Sequence, residues 1–193
     1  MKKKLSSGIK QTAKLMLDIS EDSSILDAIE KSVDICVSSL KGGGKILLAG
    51  NGGSAGDAQH VAAELVSKFN LDRPGLCAIA LTTDTSIITS IGNDYGFDVL
   101  FSRQLQAIGA PGDVFIAYST SGKSLNILKA LKLANKNKIL TIGLTGNRNS
   151  PMKDLCKILI KIPSDKTPLI QECHLVLGHL LCEHIEIKMF GLK

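Results

Sequence analysis

The sequence predicts an α/β fold: a doubly wound, five-stranded parallel sheet flanked by helices and preceded by two N-terminal helices. Three observations predict it. Short apolar runs alternate with stretches of helical spacing from Lys45 onward, the pattern of chained βαβ units. The run Ile46 to Ala49 breaks into Gly50, Gly52 and Gly53 and then into a helical pattern, which reads as strand, tight turn and helix. Two stretches of helical spacing come before that first strand.

A chain of 193 residues with 44% apolar content suits one domain, residues 1–193, with 1–41 as helices used in packing and oligomerisation and 42–193 as the α/β core. The formal charge of +5 comes mostly from lysines, and aromatics make up 4%. That balance describes a solvated surface rather than a basic stripe interleaved with aromatics, so no nucleic-acid partner is expected. The basic start, Lys2 to Lys4, is followed by Gln11, Lys14 and Asp18, which leaves no apolar signal region, and no stretch is long and apolar enough to span a bilayer. Five cysteines without a C-x-x-C pair read as reduced, mostly buried small residues of a cytoplasmic protein.

Taken in order, residues 5–19 and 25–40 are helical, the second burying Ile25, Ile29, Val33, Cys36 and Val37, with Ser23 or Ser24 as its cap. These helices either cover the sheet or meet the same helices of another subunit. Gly42 to Gly44 release the chain into the first strand, and Ser54 is read as the N-cap of the next helix. On that helix His60 and Glu64 lie at i and i+4, on one face, where imidazole and carboxylate can bind a metal or move a proton. Arg73-Pro74-Gly75 turns into Cys77 to Leu81, read as a strand buried on both faces. Residues 84–108 are mostly helical, with a break at Gly92 to Asp94. A third strand, Val114 to Ala117, ends in Ser119-Thr-Ser-Gly-Lys-Ser124, and a helix follows to about Asn135. A fourth strand spans Ile139 to Leu144, a short helix and a fifth strand at Ile158 to Ile162 follow, and a long helix runs from about Thr167 to Met189.

In such a sheet, ligands gather beyond the carboxyl ends of the strands where strand order reverses, so the first and third strand ends are the places to look. The second of these offers four hydroxyls, a glycine and a fresh helix N-terminus, a plausible phosphate cradle. Two better-known motifs fit less well. Ala117 stands where a P-loop needs its first glycine, and no later strand clearly ends in a second acid, which argues against ATP hydrolysis. Gly50, Gly52 and Ala55 mimic a dinucleotide fingerprint with Asp84 as the ribose acid, but that reading leaves His60 and Glu64 without a role. In the last helix, Gln171 and His179 are eight residues apart, roughly 12 Å along a helix axis. Binding one ion together would need either an irregular helix start at Gln171 or a site shared across subunits.

The combination of Ala49-Gly-Asn-Gly-Gly-Ser54, Asp57-Ala-Gln-His60, Glu64, Gly92-Asn-Asp94, Ser119-Thr-Ser-Gly-Lys-Ser124 and Ile170-Gln-Glu172 with His179 resembles the phosphoheptose isomerases of the SIS (sugar isomerase) fold, over nearly the whole chain. The resemblance implies a flavodoxin-like three-layer sandwich. It implies conversion of sedoheptulose 7-phosphate to D-glycero-D-manno-heptose 7-phosphate in a homotetramer, on the way to heptose units of lipopolysaccharide or capsule. Carried over, it makes Glu64 and His179 the proton-transfer pair. His60, Glu64, Gln171 and His179 become the ligands of one Zn2+ per subunit. Asn51, Gly52, Gly53, Ser54, Glu64, Asn93, Asp94, Ser119, Thr120, Ser121, Ser124 and Gln171 become the contacts to a sugar phosphate. Two departures bear on this: Leu169 stands where many relatives carry arginine, and a related adaptor branch of the replication-initiator-associating type lacks the pair equivalent to Glu64 and His179, which this chain has. A sugar-phosphate sensor would keep the phosphate loop without needing that pair.

Overall fold

The computed structural model describes residues 1–191. Helices α1 (Lys2–Glu21) and α2 (Ser23–Lys41) precede β1 (Ile46–Ala49) and α3 (Gly53–Val66). Then come β2 (Ala78–Ala80), α4 (Thr85–Asp94), a short 3-10 turn at Phe97–Val99, α5 (Leu100–Ile108), β3 (Val114–Ser119) and α6 (Leu125–Lys136). The chain closes through β4 (Leu140–Thr145), α7 (Met152–Leu155), β5 (Ile158–Lys161) and α8 (Thr167–Phe190). The five strands are all parallel, in the order β2-β1-β3-β4-β5. The order reverses between β1 and β3, which opens a crevice beyond their carboxyl ends.

Strand alternation divides the apolar interior into two layers. Ile46, Leu48, Val114, Ile116 and Tyr118 point toward α2, α3 and α8. Leu47, Ala49, Phe115 and Ala117 point toward α5 and α6. Of the leading helices, α2 covers the sheet through the five apolar residues expected of it, all buried. The first helix buries only Leu15 and Ile19, leaving Leu5, Ile9 and Leu17 exposed.

Four expectations are corrected. The cap of α2 is Asp22, whose carboxylate accepts from the amides of Ser24 and Ile25, because it stands one residue before the helix with an extended backbone. The helix after β1 starts at Gly53 with Gly52 as its cap residue, so Ser54 lies inside the first turn, buried. The break expected at Gly92 to Asp94 falls instead at Tyr95 and Gly96, since only Gly96 takes the left-handed φ of +87° that turns the chain. The second strand is an edge strand, with Ile79 39% exposed between buried Ala78 and Ala80.

All five cysteines are free, with Cys36, Cys173 and Cys182 buried and Cys77 exposed. No helix among the described residues is long and apolar enough to cross a membrane.

The core also holds a histidine without a partner. His174 on α8 is fully buried beside the Tyr118 ring, and neither of its ring nitrogens, nor the Tyr118 hydroxyl, has a hydrogen-bond partner among the described residues. Burial pushes the His174 pKa down to about 4, opposed only in part by the Thr145 backbone. In the unfolded chain it protonates near 6.5. As pH falls from about 6.5 toward 4, the unfolded state therefore gains a proton that the folded state refuses, and stability drops by about 3 kcal/mol in all. Replacement of His174 by leucine is expected to flatten urea-unfolding stability across that window, which the pH dependence of the unfolding midpoint measures.

Candidate active site

The crevice is built from two loops. At the end of β1, Gly52 takes φ +58° with ψ −122°, a conformation open to glycine, and a Cβ on Gly50 would collide with the Ser54 backbone. The turn therefore packs flat against the start of α3. A Cβ on Gly53 would lie 2.6 Å from the Gln171 amide nitrogen, so Gln171 reaches over this turn from the second turn of α8. Because α8 is regular from Thr167, the irregular start considered for Gln171 does not occur. Within one chain Gln171 faces the glycine turn, about 12 Å along the α8 axis from His179.

The second loop follows β3. Gly122 (φ +63°) closes it with a hydrogen bond from its amide to the Ser119 carbonyl, 2.9 Å. The Ser119 and Ser124 hydroxyls meet at 3.0 Å, and the Lys123 amide donates to the Ser121 hydroxyl at 3.2 Å. Ser124 occupies the N-cap position of α6 but makes no side-chain cap bond, so beyond its contact with Ser119 its hydroxyl keeps hydrogen-bonding capacity for a ligand. The loop thus gathers hydroxyls at the positive end of a 12-residue helix, where an anion is favoured.

The two loops are tied by a residue that sequence reasoning missed. Asn51 and Asn126 exchange two amide hydrogen bonds, of 3.0 and 2.9 Å, across the point where strand order reverses. Asn126 is buried in the first turn of α6, and its carbonyl oxygen also accepts from the Ile127 amide. The available signal was a poor helix former placed just inside an apolar helix.

The third component lies where α3 and α8 pack in parallel. Gly178 lets them approach closely, since a Cβ there would come within 2.8 Å of Val61. One residue on, His179 faces α3: its Nε2 is 2.7 Å from His60 Nε2, and His60 Nε2 is 3.3 Å from a Glu64 oxygen. Ligand atoms of His60, Glu64 and His179 all lie within 4.8 Å of one another. Along the His60 to His179 contact only one nitrogen can carry the proton, so the pair is shaped to share a proton or a cation. Asp57, one turn before His60, is mostly buried with one oxygen unpartnered among the described residues, and burial pushes its pKa up to about 6 despite the opposing pull of His60.

The remaining expected residues separate from this group. Asn93 and Asp94, at the end of α4, are exposed, and the Asn93 amide donates to the Asp94 carboxylate at 2.8 Å. Asp84, the ribose acid of the dinucleotide alternative, caps α4 by accepting from the Ile87 amide. Leu169, where the resemblance leads to an expectation of arginine, packs against the core.

Comparison with known proteins identifies the family. The SIS domain family matches residues 9–146. A phosphoheptose isomerase of Burkholderia pseudomallei (strain 1710b) is 54% identical over 187 residues, covering 97% of this chain and 95% of that protein. Phosphoheptose isomerase 2 of Campylobacter jejuni is 53% identical, covering 90% and 86% respectively. The structure of a phosphoheptose isomerase from Neisseria gonorrhoeae superposes with a TM-score of 0.89 at 37% identity, covering 96% of this chain and 98% of that one. A parallel sheet, a hydroxyl-rich loop beyond its third strand and a two-histidine, one-carboxylate cluster thus occur in a chain that belongs to the SIS domain family and, within it, to the phosphoheptose isomerases.

Proposed function

We propose that this isomerase converts sedoheptulose 7-phosphate to D-glycero-D-manno-heptose 7-phosphate by proton transfer through an enediol. The observation that carries the proposal is the convergence of Glu64 and His179 beside His60 on α3 and α8, two helices that also meet near their starts at Gly53 and Gln171. A ketose to aldose conversion needs one group to take a proton from a carbon of the enediol pair and another to return one to its neighbour. Glu64 supplies a carboxylate for the first task and His179 an imidazole for the second. Ser119, Thr120, Ser121 and Ser124 hold the phosphate at the N-terminus of α6, while Asn51, the Gly52 and Gly53 turn, Ser54 and Gln171 hold the sugar. Asn93 and Asp94 close the crevice from α4 or from a neighbouring subunit.

Two imidazole nitrogens and a carboxylate oxygen gathered this tightly are a donor set that suits zinc, with a position left open. His60, Glu64 and His179 would hold the ion. Bound there, it would supply a Lewis acid that steadies negative charge on the enediol oxygens. Gln171 joins that set only if it comes from another subunit, since in its own chain it covers Gly53. The exposed Leu5, Ile9 and Leu17 of α1 fit self-association, for which we propose the homotetramer, working in the cytoplasm on the route to lipopolysaccharide or capsule heptose. Incubation of the purified protein with sedoheptulose 7-phosphate, followed by NMR, is expected to reveal the aldose. An adaptor or a sensor of the same fold would bind the sugar phosphate and leave it unchanged.

A further inference from the structure

We propose that Arg73 and Glu186, acting through Phe69, are positioning residues for the proton-transfer pair: they clamp the end of α3 and the following loop so that Glu64 and His179 keep their mutual geometry. Neither charged side chain faces the crevice, and both are at most 3% exposed. The Glu186 carboxylate, in the last turns of α8, accepts from the amides of Phe69, Asn70 and Leu71 at 3.2, 2.8 and 3.1 Å and from Arg73 Nε at 2.8 Å. The Arg73 guanidinium then donates to the carbonyls at the end of α3, to Glu64 through Nη2 at 2.9 Å and to Leu65 through Nη1 at 2.7 Å. It also reaches the carbonyls of Ser67 and Pro74, at 3.2 and 3.1 Å.

A buried ion pair by itself contributes little stability, because desolvation offsets its attraction. This one is different in what it holds. It satisfies three loop amides and the carbonyls that a helix end leaves without partners, and one of those carbonyls belongs to Glu64 itself. The loop it fixes carries Phe69, whose ring lies 5.7 Å from the His179 ring and walls it on one side, while the His179 Nε2 edge meets His60 at 2.7 Å. One clamp therefore braces Glu64 from its backbone and His179 from its ring face. Arg73 is also seated by Phe190, whose ring lies 5.7 Å from the guanidinium carbon.

The inference rests on the isomerase reading, and its test separates the two. Phe69→Ala and Arg73→Lys are each expected to lower kcat for sedoheptulose 7-phosphate about 10- to 100-fold with KM within about twofold, the signature of misplaced reacting groups. Phe69→Tyr, which keeps the aromatic wall, should restore kcat. A control away from the clamp and the site is Asp113→Asn, just ahead of β3, which weakens the contact to Lys45 (2.7 Å) and lowers stability without touching the site; its kcat per folded molecule should match wild type. A second readout needs no turnover: in protein labelled with 13C in its histidine rings, the His179 resonance should shift or broaden in Phe69→Ala and stay put in Asp113→Asn. A kcat for Phe69→Ala within twofold of wild type, or an unmoved His179 resonance, would overturn the clamp. If the wild-type protein fails to turn over sedoheptulose 7-phosphate, the isomerase reading fails and the His179 resonance decides the clamp alone.

Discussion

Glu64→Gln protein is expected to lose turnover of sedoheptulose 7-phosphate by about 10³-fold or more, at the upper end of what a positioned acid or base contributes. The amide keeps the shape of the side chain and cannot accept the proton. Glu64 is partly buried on α3, with its carboxylate 3.3 Å from His60 Nε2, so the substitution removes one charge from a cluster whose other members stay in place. Folding should be unaffected, because no buried hydrogen bond of the core depends on that carboxylate among the described residues. Circular dichroism and the unfolding midpoint check the fold, and the assay checks the chemistry. Retention of more than a tenth of wild-type activity would remove Glu64 from the role of base.

Gly122→Ala is the second large effect, and it acts on the loop proposed to hold the phosphate. Gly122 holds φ +63°, and a Cβ there would strike the Ser150 side chain and come within 3.0 Å of the Thr145 hydroxyl. Left-handed strain of about 1 to 3 kcal/mol combines with an overpacking cost of similar size. The loop is expected to yield by opening the hydrogen bond from the Gly122 amide to Ser119, which spreads the hydroxyls of Ser119, Thr120, Ser121 and Ser124 apart. The expected result is a rise in KM of tenfold or more, with inorganic phosphate losing its power to inhibit. A variant with unchanged KM would show that the loop does not carry the phosphate.

How much of this was legible in the sequence depends on the range over which each feature is determined. The turn at Gly50 to Gly53 and the loop at Ser119 to Ser124 could be read because glycine freedom and hydroxyl density are local properties placed at strand ends. The pairing of His60 with Glu64 followed from helical period alone. Helical period could not bring His179 to them; in the sequence that grouping rested on the family resemblance, and its physical cause, α3 packing alongside α8 with Gly178 at the crossing, is a tertiary feature. Asn126 was overlooked because its partner, Asn51, is 75 residues away. Arg73 was read only as part of a turn, since the carboxylate that gives it a role sits 113 residues further on. The second strand was read as buried on both faces, and Ile79 is exposed because the strand lies at the sheet edge, which apolar content does not report. Asp22, standing beside two serines, shows that a cap is chosen by backbone conformation as well as residue type.

If this site moves a proton on sedoheptulose 7-phosphate, turnover in deuterated water reads that transfer out. His60 and Glu64 are partly open to solvent, with side chains 43% and 25% exposed, so a proton held at this site exchanges with water between abstraction and return. The aldose formed by wild-type protein should therefore carry deuterium at C2, and Glu64→Gln protein should form none of it. Absence of aldose from the wild-type protein, with and without added zinc, would contradict the claim.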